Sequence, residues 1–149
     1  MKDNEYYMKL ALKEARKAYK HNEVPVGAII VSNGKIIAKG NNQRENSGDV
    51  TKHAELIAIR KASKKKKDWR LNDCTMYVTL FPCPMCASAI QQSRISKLVY
   101  LNNTNNKALN DISLNILFNE NLNHRVKIDK IFLENSIIDD FFEKIRKEK

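Results

Sequence analysis

Residues 53–86 read HAELIAIRKASKKKKDWRLNDCTMYVTLFPCPMC. His53-Ala54-Glu55 opens this stretch, Pro82-Cys83-Pro84-Met85-Cys86 closes it, and the strand-like TMYVTL (75–80) lies between. A catalytic zinc takes three protein ligands and keeps one position open for water. His53, Cys83 and Cys86 supply three nitrogen and sulfur donors of the kind zinc prefers. Two thiolates and a neutral imidazole leave the ion with a net charge near zero and some Lewis acidity, so the pKa of bound water can fall to about 7. Glu55 remains as a carboxylate for general acid/base work.

Residues two apart in a helix point to nearly opposite sides, so His53 and Glu55 make most sense at a helix start entered from a loop. Thr51 is the expected N-cap. The positive end of that helix favours an anion beside it. Cys83 and Cys86, three apart, share one face of a second helix, with Pro84 at its first position, where a missing N–H is harmless. Two helix starts then meet across one metal. A lone C-x-x-C is also the pattern of a redox dithiol or half of a four-ligand structural zinc site, and a lone His-x-Glu carries no signal. The two together, with flanking prolines and an intervening strand, select the catalytic zinc. Cys74 has no partner at disulfide-like spacing and reads as a buried thiol at a strand start.

Working outward, the chain of 149 residues predicts one domain, 1–149, long enough for a proper core. Hydrophobic residues make up 42%, which excludes a disordered chain. The longest apolar run, Val24 to Val31, is too short to span a membrane. The N-terminal MKDNEYYMKLALKEARKAYK carries charges throughout and lacks a signal-peptide core. Three cysteines, two of them assigned to metal, fit a reducing compartment, so a cytoplasmic protein is expected. The net charge of +10 (27 Lys and Arg against 17 Asp and Glu) suits a polyanionic partner such as RNA. AT-rich coding, which inflates Lys and Asn, accounts for that charge equally well.

Apolar spacing predicts a helix from Tyr6 to about Tyr19. Val26–Val31 and Lys35–Gly40 read as strands joined by Asn33-Gly34, a strong hairpin signal. A loop follows from Asn41 to Lys52. The pattern continues with a helix from His53 to about Ser63, a strand Thr75–Leu80, a helix Pro84–Ser93 and a strand Lys97–Leu101. Leu109–Phe118 reads as a helix, Val126–Leu133 as a strand, and Ser136–Arg146 as a helix with Ile137, Ile138, Phe141, Phe142 and Ile145 inward. Alternating helices and strands predict an α/β fold, with a mixed five-stranded sheet and helices on both faces. The Lys64–Lys67 run decorates a helix C-terminus, where cations are favourable, or contacts RNA.

In this context the H-x-E…P-C-x-x-C pattern resembles the cytidine-deaminase-like zinc family of base deaminases. Within it the chain is similar to the tRNA-specific adenosine deaminases of bacteria. The likeness runs over nearly the whole chain: VPVGAIIV (24–31), GNNQRE (40–45), DVTKHAELIAIRKA (49–62), DWRLNDCTMYVTL (68–80), PCPMCASAI (82–90), SRISKLVY (93–100), NHRV (123–126) and FFEKIRK (141–147). The WRL, SRI and NHR pieces are more specific than the zinc motif.

The resemblance implies a three-layer α/β/α fold and hydrolysis of adenosine to inosine at the wobble position of a tRNA anticodon, usually of an arginine tRNA. It implies a homodimer with active sites near the interface. It implies one Zn2+ per subunit on His53, Cys83 and Cys86, with Glu55 carrying protons from water to the ring nitrogen and then to the leaving amine. Asn42 would help hold the flipped nucleotide, and Arg44, Asn123, His124, Lys144, Arg146 and Lys147 would meet the anticodon loop. An unpaired loop suits this chemistry because little extrusion is needed.

Each RNA candidate also has a structural reading: Asn42 as a turn cap, Arg44 as a solvated loop residue, His124 as a surface or core histidine, and the C-terminal cations as a solvated helix end. The chain departs from the family in three places. Leu80-Phe81-Pro82-Cys83 stands where Leu-Glu-Pro-Cys is usual, which predicts loss of a hydrogen bond beside the metal. Residues 101–113, LNNTNNKALNDIS, lack the family's glycine, and Asp49-Val50-Thr51 lacks its proline. Two other functions share the zinc motif: deamination of free bases or nucleosides such as guanine or cytosine, and a weakly active zinc-stabilised RNA-binding subunit. The retained Glu55 argues against the second.

Overall fold

The computed structural model describes residues 2–148. Helix α1 (Asn4–Lys20) begins where the Asp3 carboxylate accepts the Tyr6 N–H at 2.9 Å, satisfying one of the free donors of the first turn. Strands β1 (Gly27–Ser32) and β2 (Lys35–Asn41) form the expected hairpin. Asn33 and Gly34 both take positive φ, 51° and 75°, as its tight turn requires.

After the short helix α2 (Arg44–Ser47) come α3 (Ala54–Lys66), β3 (Cys74–Leu80), α4 (Pro84–Gln92), β4 (Lys97–Asn102), α5 (Lys107–Leu117), β5 (Lys127–Lys130) and α6 (Ile137–Lys147). The sheet order is β2-β1-β3-β4-β5. The pairs β1–β2 and β1–β3 are antiparallel, whereas β3–β4 and β4–β5 are parallel, so the sheet is mixed and five-stranded.

Period-2 alternation sends the strand side chains to two cores. Ile29, Val31, Tyr77, Val99 and Leu101 pack with Tyr7, Met8, Ala11 and Leu12 of α1. Ala28, Ile30, Met76, Val78 and Leu98 pack with Ala54, Ala58 and Ala62 of α3 and Ala87 and Ile90 of α4. The result is the α/β/α three-layer arrangement. Cys74 opens β3 with its side chain fully buried, as its position in the sequence suggested. The lysine run does end a helix: Lys64, Lys65 and Lys66 fill the last turn of α3, Lys67 caps it, and Lys66 pairs with Asp73.

The structure corrects four expectations. The 41–52 loop contains α2, which four residues are too few to reveal by periodicity. Thr51 does not cap α3. His53 is the N-cap, and the Thr51 N–H and hydroxyl donate to Asp49 Oδ1 at 2.8 and 2.7 Å. Strand β5 ends at Lys130, short of Leu133. On α6 only Phe141 is fully buried, packed edge-on to Tyr19 of α1 with ring centres 6.1 Å apart, and Phe142 is half-exposed. No helix among the described residues is long and apolar enough to cross a membrane.

Candidate metal centre and base pocket

Two helix starts converge at one end of the parallel strands. His53 sits just before α3 with extended backbone (φ −83°, ψ 150°), and Glu55 lies in the first turn of that helix. Cys83 occupies the equivalent place before α4, followed by Pro84. His53 makes no side-chain hydrogen bond to its helix, which leaves the imidazole free for other work.

His53 Nδ1 lies 3.7 Å from Cys83 Sγ and 3.5 Å from Cys86 Sγ. The three donor atoms all fall within 4.8 Å of one another. Zinc bonds of ordinary length in a tetrahedron put nitrogen and sulfur ligands about 3.6 Å apart. The donors therefore fit zinc in type and in spacing. Cys83 is held down to about 4 by the Cys86 thiol that bonds to it and by His53. The same bond, with burial, pushes the Cys86 thiol up. The Cys83 sulfur in turn raises the His53 imidazole.

Glu55 is only 4% exposed. Burial pushes its carboxyl up to about 7 and the Cys83 charge adds to that, against the pull of His53 and the Cys86 thiol. A carboxyl that changes protonation near neutrality suits proton transfer in both directions.

His53, Glu55 and Cys83 line a cavity of about 130 Å3, walled also by Asn42, Arg44 and Phe81. This is below the roughly 300 Å3 at which drug-sized pockets begin, and it suits one flat heterocycle. Asn42 is tied to the backbone: its Nδ2 donates to the Val24 carbonyl at 3.2 Å and its Oδ1 accepts the Arg44 N–H at 3.1 Å. The amide thus caps a turn and lines the cavity at once, and one N–H and one lone pair remain free. Arg44 reaches the cavity with its guanidinium paired to Glu45 at 3.3 Å.

Phe81, in the family's Glu position, is buried and packs edge-on to Tyr100 with ring centres 4.8 Å apart. Where a carboxylate would have offered an acceptor, this cavity has an apolar wall.

The remaining candidates lie elsewhere. Asn123 and His124 sit at the C-terminal end of α4, where Gln91 Nε2 donates to Asn123 Oδ1 at 3.4 Å and to the His124 carbonyl at 3.0 Å. Cys83 is at the opposite end of this nine-residue helix, about 13 Å away at 1.5 Å per residue. His124 Nε2 lies 2.8 Å from the Ile95 carbonyl. Lys144 donates to Asn22 Oδ1 at 2.8 Å, Lys147 pairs with Glu143, and Arg146 is exposed. Within one chain, none of these residues lines the base cavity.

One supporting residue escaped the sequence reading. Glu23, 1% exposed, accepts the N–H groups of Glu45 and Asn46 at 2.9 and 2.7 Å and the Asn46 amide at 2.6 Å. It anchors α2, which carries Arg44. A charged residue beside an apolar run gives no local sign that it will be buried.

The family model for the cytidine and deoxycytidylate deaminase zinc-binding region matches residues 1–102. The tRNA-specific adenosine deaminase of Bacillus subtilis (strain 168) is 41% identical over 152 aligned positions, covering 100% of this chain and 94% of the relative. That of Aquifex aeolicus (strain VF5) is 43% identical and covers 95% of each chain. Among solved structures, one from a study of A-to-I editing by tRNA:A34 deaminases at the wobble position aligns with a TM-score of 0.76 at 35% identity, over 85% of this chain and 97% of that one. A guanine deaminase from Bacillus subtilis aligns with a TM-score of 0.67 at 29% identity, over 98% of this chain and 95% of that one.

Proposed function

The chain belongs to the cytidine and deoxycytidylate deaminase zinc-binding family, and from that premise we propose that its function is the hydrolysis of adenosine to inosine in tRNA. The observation that carries this reading is the buried Glu55 carboxyl beside the His53, Cys83 and Cys86 cluster, on the wall of a cavity sized for one base. The choice of substrate is supported by relatives that are named tRNA-specific adenosine deaminases and match nearly end to end. The base acted on is the wobble adenosine, usually of an arginine tRNA.

His53 through Nδ1, Cys83 and Cys86 hold one zinc per subunit. When bound, zinc supplies the Lewis acidity that makes water nucleophilic near neutral pH. Glu55 would take a proton from the water that attacks adenine C6 and deliver it to the ring nitrogen N1; it would then take the proton of the new C6 hydroxyl and pass it to the departing amine as the C6 carbonyl forms, so that water and adenosine become inosine and ammonia. Asn42, with its amide fixed by Val24 and Arg44, uses its free N–H and lone pair to orient the flipped nucleoside. Phe81 keeps bulk water from the base.

Arg44 meets the RNA backbone at the cavity mouth. Lys144, Arg146 and Lys147 on α6 neutralise phosphates farther out, a role supported by the net charge of +10. We assign Asn123 and His124 to anticodon contacts made across a homodimer. A subunit interface on their face is supported by Trp69, which is half-exposed there beneath the guanidinium groups of Arg70 and Arg94 at 4.6 and 5.5 Å. The catalytic unit is a single domain spanning 1–149. Its free thiols, Cys74, Cys83 and Cys86, support a cytoplasmic setting.

A second reading, deamination of a free base, is favoured by the likeness to guanine deaminase. One experiment separates the two. Zinc-loaded protein is incubated with an arginine-tRNA anticodon stem-loop carrying adenosine at the wobble position, beside free guanine and free cytosine. Inosine at the wobble position alone is expected. Turnover of a free base with none of the stem-loop would overturn the tRNA reading.

A further inference from the structure

We propose that Phe132 is a stacking platform for a nucleobase adjoining the adenosine that enters the catalytic cavity. The proposal rests on the tRNA reading and assigns a specific subsite within it.

Phe132 is 86% exposed, the most of any large apolar side chain among the described residues. Its position follows from the end of β5. Beyond Lys130 the chain stays extended: the Ile131 N–H donates to the Tyr100 carbonyl at 3.0 Å, and Ile131 and Leu133 pack into the α1-side core. Alternation then turns Phe132 the other way, into a groove of about 720 Å3 beside α6.

That groove is continuous with the catalytic cavity, since Val24, Leu80 and Thr104 line both. A strand whose base is inserted at Glu55 can therefore run along it. Aromatic and cationic groups run the same way. The Lys130 ammonium lies 5.3 Å from the Phe132 ring centre and 5.8 Å from that of Tyr100, and Tyr100 packs on Phe81 in the cavity wall.

The lining favours a base over a phosphate. Lys130 is the cation of the groove, and Glu134 and Asp139 oppose it. The remaining polar side chains are mostly amides, including the mutual pair Asn102–Asn135 at 3.1 Å, with the hydroxyls of Thr104 and Ser136. Amides hydrogen-bond base edges, and an exposed ring offers the sequence-tolerant stacking seen where proteins grip single strands. Phosphates would face outward, towards Arg146, which lies one turn beyond the half-exposed Phe142.

The test uses the zinc-loaded full-length chain and two anticodon stem-loops, with 2-aminopurine on the 5′ or the 3′ side of the wobble adenosine. In the wild type, fluorescence quenching is expected in one of them, together with inosine formation from the unlabelled RNA. Phe132→Ala should abolish the quenching and weaken binding about thirty-fold, the mid-range for loss of one aromatic stack, with its melting temperature unchanged. Phe132→Trp should restore both signals. If Phe132→Ala keeps the quenching and the affinity while the wild type edits RNA, the platform is wrong and the tRNA reading stands. If Phe132→Ala instead turns a dimer into a monomer in sedimentation, the ring is a subunit contact and the proposal fails. A wild type that neither binds nor edits the stem-loop sinks the tRNA reading and the platform with it.

Discussion

Gly40 of β2 and Ala54 at the start of α3 meet backbone to backbone: a β-carbon at Gly40 would run into the Ala54 carbonyl oxygen. That contact seats the helix whose first turn presents His53 and Glu55. Gly40→Ala must push α3 away from the sheet, at a cost of about 1–3 kcal/mol for overpacking. Urea denaturation should show the loss, and chelator competition should show zinc affinity at least ten-fold weaker. Unchanged zinc affinity would mean that the metal ligands do not depend on this contact.

Glu55→Gln keeps the shape of the side chain and removes the group that changes protonation. Zinc content by atomic absorption and stem-loop affinity should stay near wild type, while kcat falls by about 10²–10⁴. Loss of zinc from this variant would make Glu55 part of the metal site and refute its role as proton carrier.

The three candidate donors come from two helix starts, so a metal held by them would tie α3 to α4 as well as serve the chemistry. Cys83→Ala should carry less than a tenth of the wild-type zinc and unfold at lower temperature, as should wild type treated with chelator. A Cys83→Ala protein still holding one zinc per chain would show that the ligand set is wrong.

The buried Glu55 also predicts how the metal-free protein responds to pH. Burial holds its pKa at about 7 in the folded chain, against 4.5 for an unperturbed glutamate. Between those values the folded state binds more protons than the unfolded one. The carboxyl is therefore without cost below pH 4.5, and its cost grows as pH rises to 7, levelling at on the order of 3 kcal/mol. Metal-free Glu55→Gln should match metal-free wild type at pH 4.5 and exceed it in stability at pH 8. A gap that stays constant across this range would rule out a carboxyl held neutral by burial.

Phe81 fills the place of a carboxylate and is 5% exposed against Tyr100. Phe81→Ala should cost about 3–5 kcal/mol, the range for truncating a buried phenylalanine, and should enlarge the base cavity so that KM rises more than kcat falls. Steady-state kinetics and denaturation measured on the same preparation test both. A loss below about 1 kcal/mol would mean that the ring is not packed as the structure has it.

Most of the metal centre was legible in the chain itself. Ligand chemistry is a property of residue type, and the positions of His53, Glu55, Cys83 and Cys86 at helix starts follow from local rules for spacing and for proline. The hairpin at Asn33-Gly34 was legible for the same reason: it is set by residues next to one another. Two of the errors have different causes. Thr51 looked like a cap, but Asp49, two residues before it, took its hydrogen bonds. Phe142 has the spacing of a buried residue, yet it is Phe141 beside it that packs against Tyr19 of α1, and Phe142 stays half-exposed.

By itself, then, the sequence determined the layered α/β arrangement and marked the candidate donors and the candidate proton carrier. Tertiary structure alone decided that Nδ1 of His53 faces both sulfurs, that Glu23 braces the loop bearing Arg44, that Asn42 reaches the base cavity while Asn123 and His124 lie at the far end of α4, and that Phe132 projects into a groove running from the active site. Distance, burial and the continuity of cavities are set by contacts between residues far apart in the chain, and residue type and spacing carry no measure of them.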